Sequence, residues 1–186
     1  MVDASHGNSS KDYRRQREVI ADVGRQIADA VIETRDHDAP AVVMQRRPAK
    51  SPWADVVWEP HGVVPGYPGS GKKLLLQHEG VAQWLHGGFK LELHRDETEG
   101  YYQNVSARDP RVFVLWRMEG EDALPLDVTA SSDEAGRWLD GGHGVDGVPM
   151  PAEIYAWVGD YVEKNYRPEP KKRIKPRSFM HPKDRV

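Results

Sequence analysis

The sequence predicts an α+β domain: an antiparallel sheet followed by two helices, with an amphipathic helix ahead of it. Three observations lead there. Apolar residues occur in short, partly alternating runs between Ala41 and Thr129, the pattern of half-buried strands. The gaps between those runs suit antiparallel neighbours and are too short for parallel crossovers. Beyond Ser131 the apolar period changes to three and four, the spacing of a helix face. A meander is the economical topology, and the pattern leaves open whether the sheet curves strongly or closes into a barrel.

Each element has its own local reason. Ser9, Ser10 and Asp12 offer oxygens that cap a helix start. Tyr13, Ile20, Val23, Ile27 and Val31 follow at near-helical spacing among charged residues, and Asp36, Asp38 and Pro40 close the segment. That narrow stripe must be buried on its own domain or offered as a seam to a second chain, including a second copy.

Strands are expected at Val42–Arg46, Val56–Val64, Phe89–His94, Tyr101–Val105, Val112–Trp116 and Leu124–Val128. Pro60 lacks an N–H and demotes the second of these to an edge or a bend. Phe89, Leu91 and Leu93 share one face in the clearest alternation, and Val112–Trp116 reads as the most buried strand.

Ser131 stands three residues before Glu134, the capping-box spacing, and Ala135, Trp138 and Leu139 then form one face. Gly141, Gly142 and Gly144 end that helix. Pro151 suits the first turn of the next one, in which Ile154, Trp157, Val158, Tyr161 and Val162 make the best apolar stripe in the chain. Pro168 stops it. The resulting division is an extension over 1–40, one domain over 41–166 and a basic, proline-rich tail over 167–186.

Composition excludes several chemistries. The 186 residues include no cysteine, so disulfides, thiolate zinc sites, cysteine-held iron–sulfur clusters and a cysteine nucleophile are out. No run approaches the ~20 apolar residues of a membrane span, and Met1–Lys11 has no apolar signal region, so a cytoplasmic protein is expected. Charge is uneven. The tail carries eight Lys or Arg against Glu169 and Asp184, or +6, which leaves −9 on the rest of a chain of net charge −3. Such a tail suits an acidic protein surface. Nucleic acid is disfavoured because Phe179 is the one aromatic there to stack on a base. The expected partner contacts are therefore Ile20, Val23, Ile27 and Val31 on the helix, with Lys171, Lys172, Arg173, Lys175 and Arg177 on the tail.

Site candidates are few. Gly66-Tyr67-Pro68-Gly69-Ser70-Gly71-Lys72-Lys73 comes within one residue of a phosphate-binding loop, but Lys73 stands where the magnesium-binding hydroxyl belongs, and the segment reads better as a loop entering a strand. His94, Asp96 and Glu99 cluster where a strand meets its turn, residue types that bind a divalent ion given matching geometry, although a solvated turn explains them equally. In Asp140-Gly141-Gly142-His143-Gly144-Val145-Asp146-Gly147, glycine-rich backbone N–H groups could cradle an anion beside a titratable His143, while a helix-to-helix connector explains the same glycines. Asp140, Gly142, His143 and Asp146 mark that loop. No catalytic residues and no cofactor are expected.

Four stretches carry a resemblance: Trp53-Ala54-Asp55 with Trp58; Leu91 through Glu97 to Asn104; Pro110 through Arg117; and Asp133 through Asp140 leading to Val145–Pro151. Together, over about Val42 to Pro170, the chain resembles a bacterial family of unknown function whose members are typically encoded beside accessory genes for molybdenum- or tungsten-dependent formate dehydrogenase. The resemblance implies a part in assembling or supporting that enzyme, with the dehydrogenase or its maturation factors as partner, and it carries over no catalytic residues. The expectation is a non-catalytic accessory or interaction protein. The alternative is a small metal- or anion-binding domain, or an enzyme built on one.

Overall fold

The computed structural model of the chain describes residues 39–51 and 53–168. The expected N-terminal helix, with Ile20, Val23, Ile27 and Val31, lies outside the described residues, as do Lys171, Lys172, Arg173, Lys175 and Arg177 of the tail.

Strands β1 (Ala41–Pro48), β2 (Val56–Val64), β3 (Gly71–His78) and β4 (Val81–Gly87) form one sheet in the order β2-β1-β4-β3. Strands β5 (Arg111–Glu119), β6 (Asp122–Thr129) and β7 (Gly144–Pro149) form a second, in the order β6-β5-β7. Every pairing is antiparallel, as expected, although of the short connections read from the sequence only the one between β5 and β6 joins paired strands. The single meander is corrected: β1 pairs with both β2 and β4, and among the described residues no barrel closes. Burial follows the order. Ala41–Met44 is buried on both faces, as are Ala82, Gln83, Leu85 and His86, in keeping with the central places of β1 and β4 in the sheet. The exposed Gly71-Lys72-Lys73 start of β3 suits an edge. Pro60 does lie in an edge strand, and the β1–β2 register slips beside it, between Val43 and Met44.

The two sheets share one core. Val42, Met44, Trp58 and Val63 meet Val112, Val114, Ala123, Val128 and Val148 there. The Trp58 indole N–H donates to Glu121 O at 3.0 Å, and Lys72 pairs with Asp122 at 2.7 Å, tying the first sheet to the β5–β6 turn. β5 is the centre of its sheet, with Val112 and Val114 fully buried, but the longest buried run is Ala41–Met44 in β1.

Among the described residues three α-helices complete the domain: α1 (Thr98–Val105), α2 (Ser132–Asp140) and α3 (Ala152–Asn165). α1 overturns the strand expected at Tyr101–Val105. Its aromatic and β-branched content resembles a strand, yet Tyr101 and Asn104 are buried at i and i+3 while Tyr102 and Gln103 are exposed, which is helical spacing. Ser131 caps α2 as its position relative to Glu134 predicts, its hydroxyl accepting the Glu134 N–H at 3.1 Å. α3 buries Ile154, Val158 and Val162 of the expected stripe and half-buries Trp157 and Tyr161. Pro151 caps that helix from outside, with ψ 147°, instead of sitting in its first turn. The connector between α2 and α3 holds β7, which the sequence reading missed. Gly144 opens that strand against Trp116, where a β-carbon would stand 2.8 Å from the Trp116 carbonyl oxygen.

The near-match to a phosphate-binding loop also has a packing explanation. Lys72 and Lys73 enter β3, with no helix after them. Tyr67 donates its N–H to Ala39 O at 2.8 Å and lies over the small cluster of Ala41, Val43 and Leu85. Gly87 allows this, since a β-carbon there would fall 2.2 Å from the Gly69 carbonyl oxygen.

Candidate functional site

Gly88, at φ +96°, turns the chain out of β4 into an extended strap that ends at His94. The alternation read from the sequence is real: Leu91 is buried and Phe89 and Leu93 pack on the core, while Lys90, Glu92 and His94 face solvent. The strand expected at Phe89–His94 is nevertheless a correction, because these residues join no sheet. Across from the strap lies β6, an outer strand poorly equipped to accept a neighbour. Pro125 has no N–H, and the Asp127 carboxylate takes the Val128 N–H at 2.8 Å. Alternation reports an extended backbone with one buried face; it does not guarantee a ladder.

The strap is held at its far end by one phenol. Tyr101, fully buried in α1, accepts the His94 N–H at 3.1 Å and donates to Glu92 O at 3.4 Å. Burial pushes its pKa up to about 12, so the hydroxyl keeps the proton that the second bond requires. Tyr161 of α3 meets its ring edge-on, with centroids 6.0 Å apart. On the outer face Lys90 pairs with Glu92 at 2.7 Å, holding that carboxyl below the usual carboxylate range.

An open trough lies on each side of the strap. One, of about 320 Å³, separates it from β6 and the start of α2; Phe89, Leu126 and Val128 contribute apolar lining, and Glu92, Asp127 and Glu134 contribute carboxylates. The other, of about 500 Å³, separates it from α3 and is lined by Leu93, Trp157 and Tyr161 together with Lys90, Glu92 and His94. Apolar and charged groups thus alternate along one exposed, anchored segment.

The residues singled out in the sequence are distributed as follows. His94 ends the strap with Nε2 3.6 Å from Glu92; Asp96 is exposed in the 3₁₀ turn that follows, and Glu99 is exposed on α1. Among the described residues no three His, Asp or Glu side chains form a group that could hold a metal ion. In the glycine loop the N–H groups of Gly141, Gly142 and His143 donate to Arg137 O, Leu139 O and Trp138 O, so an anion there would compete with the end of α2. Asp140 ends that helix, Gly142 takes φ +79°, and Asp146 accepts the Trp116 indole N–H at 2.7 Å.

Sequence reasoning missed a polar node between α1 and α2. The Ser131 hydroxyl donates to Glu97 at 2.6 Å, and Glu97 also pairs with Arg137. The capping spacing located Ser131, but nothing local signals Glu97. It missed the trough beside α3 as well, because Trp157 and Tyr161 read as plain core stripe. No described helix is long and apolar enough to cross a membrane.

Among known families, one described as "Protein of unknown function (DUF3305)" matches residues 40–175. The chain belongs to the DUF3305 family. The match takes in both sheets, all three helices and the strap, so the troughs are part of the DUF3305 region of the chain. No curated protein and no solved structure matches it.

Proposed function

We propose that this chain is a non-catalytic accessory protein that holds a protein partner against the strap and α3, and that the partner is a molybdenum- or tungsten-dependent formate dehydrogenase or one of its maturation factors. The wider trough carries the binding half of this reading. Its lining by Leu93, Trp157 and Tyr161 beside Lys90, Glu92 and His94 has the make-up of a protein interface, with aromatic anchors and a charged rim. Small-molecule sites enclose most of their ligand, whereas this trough lies open along the strap. The formate dehydrogenase half is supported by the family resemblance drawn from the sequence blocks.

The test is deletion of the gene while the dehydrogenase subunits are still expressed. Formate oxidation and cofactor loading should both fall. If activity and loading are unchanged, the formate dehydrogenase reading is lost. Complementation with a Trp157→Ala chain should restore less activity than the native chain; full restoration by a chain that lacks this indole would remove the α3 trough from the partner site.

A further inference from the structure

We propose that the expected N-terminal helix closes over the outer face of the four-stranded sheet of its own chain, with Ile20, Val23, Ile27 and Val31 turned onto that face. The strand register defines the face. Val42, Met44, Trp58 and Val63 point into the shared core, so Ala41, Val43 and Gln45, opposite Val64, Gly62 and Glu59 of β2, point the other way. Leu85 and Gln83 continue that face on β4, and Lys73 and Leu76 continue it on β3. Ala41, Val43 and Leu85 form a second apolar cluster, apart from the first, with Val64, Tyr67 and Leu75 at its margin.

Side chains on this face are dry. Leu85 is 1% exposed, Gln83 6%, Val43 8% and Leu76 9%. Tyr67, from the loop before β3, packs at the Ala41 and Leu85 end. The helices already described lie elsewhere: Tyr101 of α1 and Ile154, Val158 and Val162 of α3 join the core on the opposite face, and α2 packs against β5, β6 and β7. The polar groups on the face bond to one another. The Gln83 amide donates to Gln45 at 2.7 Å, Gln45 donates to Glu59 at 3.3 Å, and Arg47 donates to Glu59 at 2.7 Å. An apolar cover would leave those bonds in place.

The preceding chain is placed to supply that cover. Residues 1–38 lead directly into β1, a central strand of the sheet. The entry is fixed where Ala39 O accepts the Tyr67 N–H at 2.8 Å, beside the second cluster. Val31 stands eight residues before Ala39. A helix joined to a central strand by so short a link settles over a face of its sheet, and the inner face is filled by the shared core. The stripe from Ile20 to Val31 is about 17 Å long at the helical rise. It fits within the roughly 26 Å of an eight-residue strand such as β1. Gly24 falls within the stripe and Ala28 beside it, small residues that let a helix approach a sheet closely. The short link also keeps this helix at a higher effective concentration over the face than a second copy would reach.

The chain has no cysteine, so a single introduced thiol reports on one place. Leu76→Cys lies on the outer face, Val114→Cys in the shared core and Met118→Cys at an exposed position of β5. Each full-length variant is treated with iodoacetamide under native conditions and followed by mass spectrometry. Leu76→Cys should react at least about a hundredfold more slowly than Met118→Cys. Adding Val23→Asp with Ile27→Asp should quicken Leu76→Cys at least about tenfold and leave Val114→Cys as slow as before. Dilution by about a hundredfold should not alter the protection, since the cover belongs to the same chain. The proposal is overturned if Leu76→Cys reacts as fast as Met118→Cys, or if the two aspartates leave it protected. Loss of protection on dilution would give the face to a second copy and overturn it too. If the aspartates also quicken Val114→Cys, the milder Ile27→Ser decides: Leu76→Cys alone must quicken there, and any other result overturns the proposal. None of these results depends on the accessory reading, which concerns the strap and α3.

Discussion

A β-carbon on Gly100 would lie 2.3 Å from the hydroxyl oxygen of Ser131, so α1 and the cap of α2 meet with no room for a side chain between them. The hydroxyl is not free to swing aside. It donates to Glu97 at 2.6 Å and accepts the Glu134 N–H at 3.1 Å. The Asp133 backbone nitrogen would also lie 3.1 Å from the added carbon. Gly100→Ala is expected to cost about 1–3 kcal/mol by overpacking. On thermal denaturation that is a midpoint lowered by roughly 3–10 °C. Ser131→Ala alone should cost about 1 kcal/mol through the lost cap, and the double variant should be less damaged than the two losses added together. Strict additivity would argue against the contact.

Asn104 closes three hydrogen bonds from a buried position. Its amide donates to Arg111 O at 2.6 Å and Ala130 O at 2.7 Å, and its carbonyl accepts the Arg111 N–H at 2.9 Å. The end of α1 is thereby stitched to the start of β5 and the end of β6. Asn104→Ala strands three backbone groups at once and should cost roughly 3 kcal/mol or more in urea denaturation. Asn104→Asp keeps the acceptor and loses both donors, so it should be no better than alanine near neutral pH. A loss under about 1 kcal/mol for either variant would mean that water takes over these bonds.

These residues also show how much the chain reveals before it folds. The α3 stripe and the Ser131 cap are local patterns, decided within a few residues of one another, and both are legible. The β1–β4 pairing joins Val42 to His86 across two intervening strands. Nothing near either residue encodes it; the two strands are brought together only in the finished core. The strap failed in a different way. Its alternation correctly marked Leu91 as buried, but its lack of a ladder depends on Pro125 and Asp127, which belong to β6. The troughs are harder to foresee still, since each is the space left between the strap and an element distant in sequence.

Tyr101 offers a way to loosen the strap without emptying the core. Tyr101→Phe retains the ring against Tyr161 and removes only the hydroxyl that holds His94 N–H and Glu92 O. The global cost should be about 1–1.5 kcal/mol. Exchange of the His94 amide should quicken by at least about tenfold, beyond what the global loss accounts for if the strap opens locally. If His94 exchange rises no more than that of the core strands, the phenol is not the strap's anchor.

His86 should make the fold sensitive to mild acid. It is 5% exposed on β4, and its Nε2 has no hydrogen-bond partner among the described residues. Burial lowers its pKa, the nearby Lys72 ammonium lowers it further, and Asp122 opposes them weakly. The unfolded chain, with an imidazole near the ordinary value of about 6.5, binds more protons than the folded one between the two pKa values. Stability therefore rises with pH across that window. The contribution is complete above the unfolded value and is lost as pH falls through it toward the lower folded value. Urea denaturation at a series of pH values from about 7.5 down to 5 should show the native chain weakening, while His86→Gln, which cannot titrate, weakens less. Lys72→Gln removes the second cause and leaves burial, so it should flatten the dependence only in part. Identical pH slopes for the native and His86→Gln chains would show that the buried imidazole is not the group being titrated.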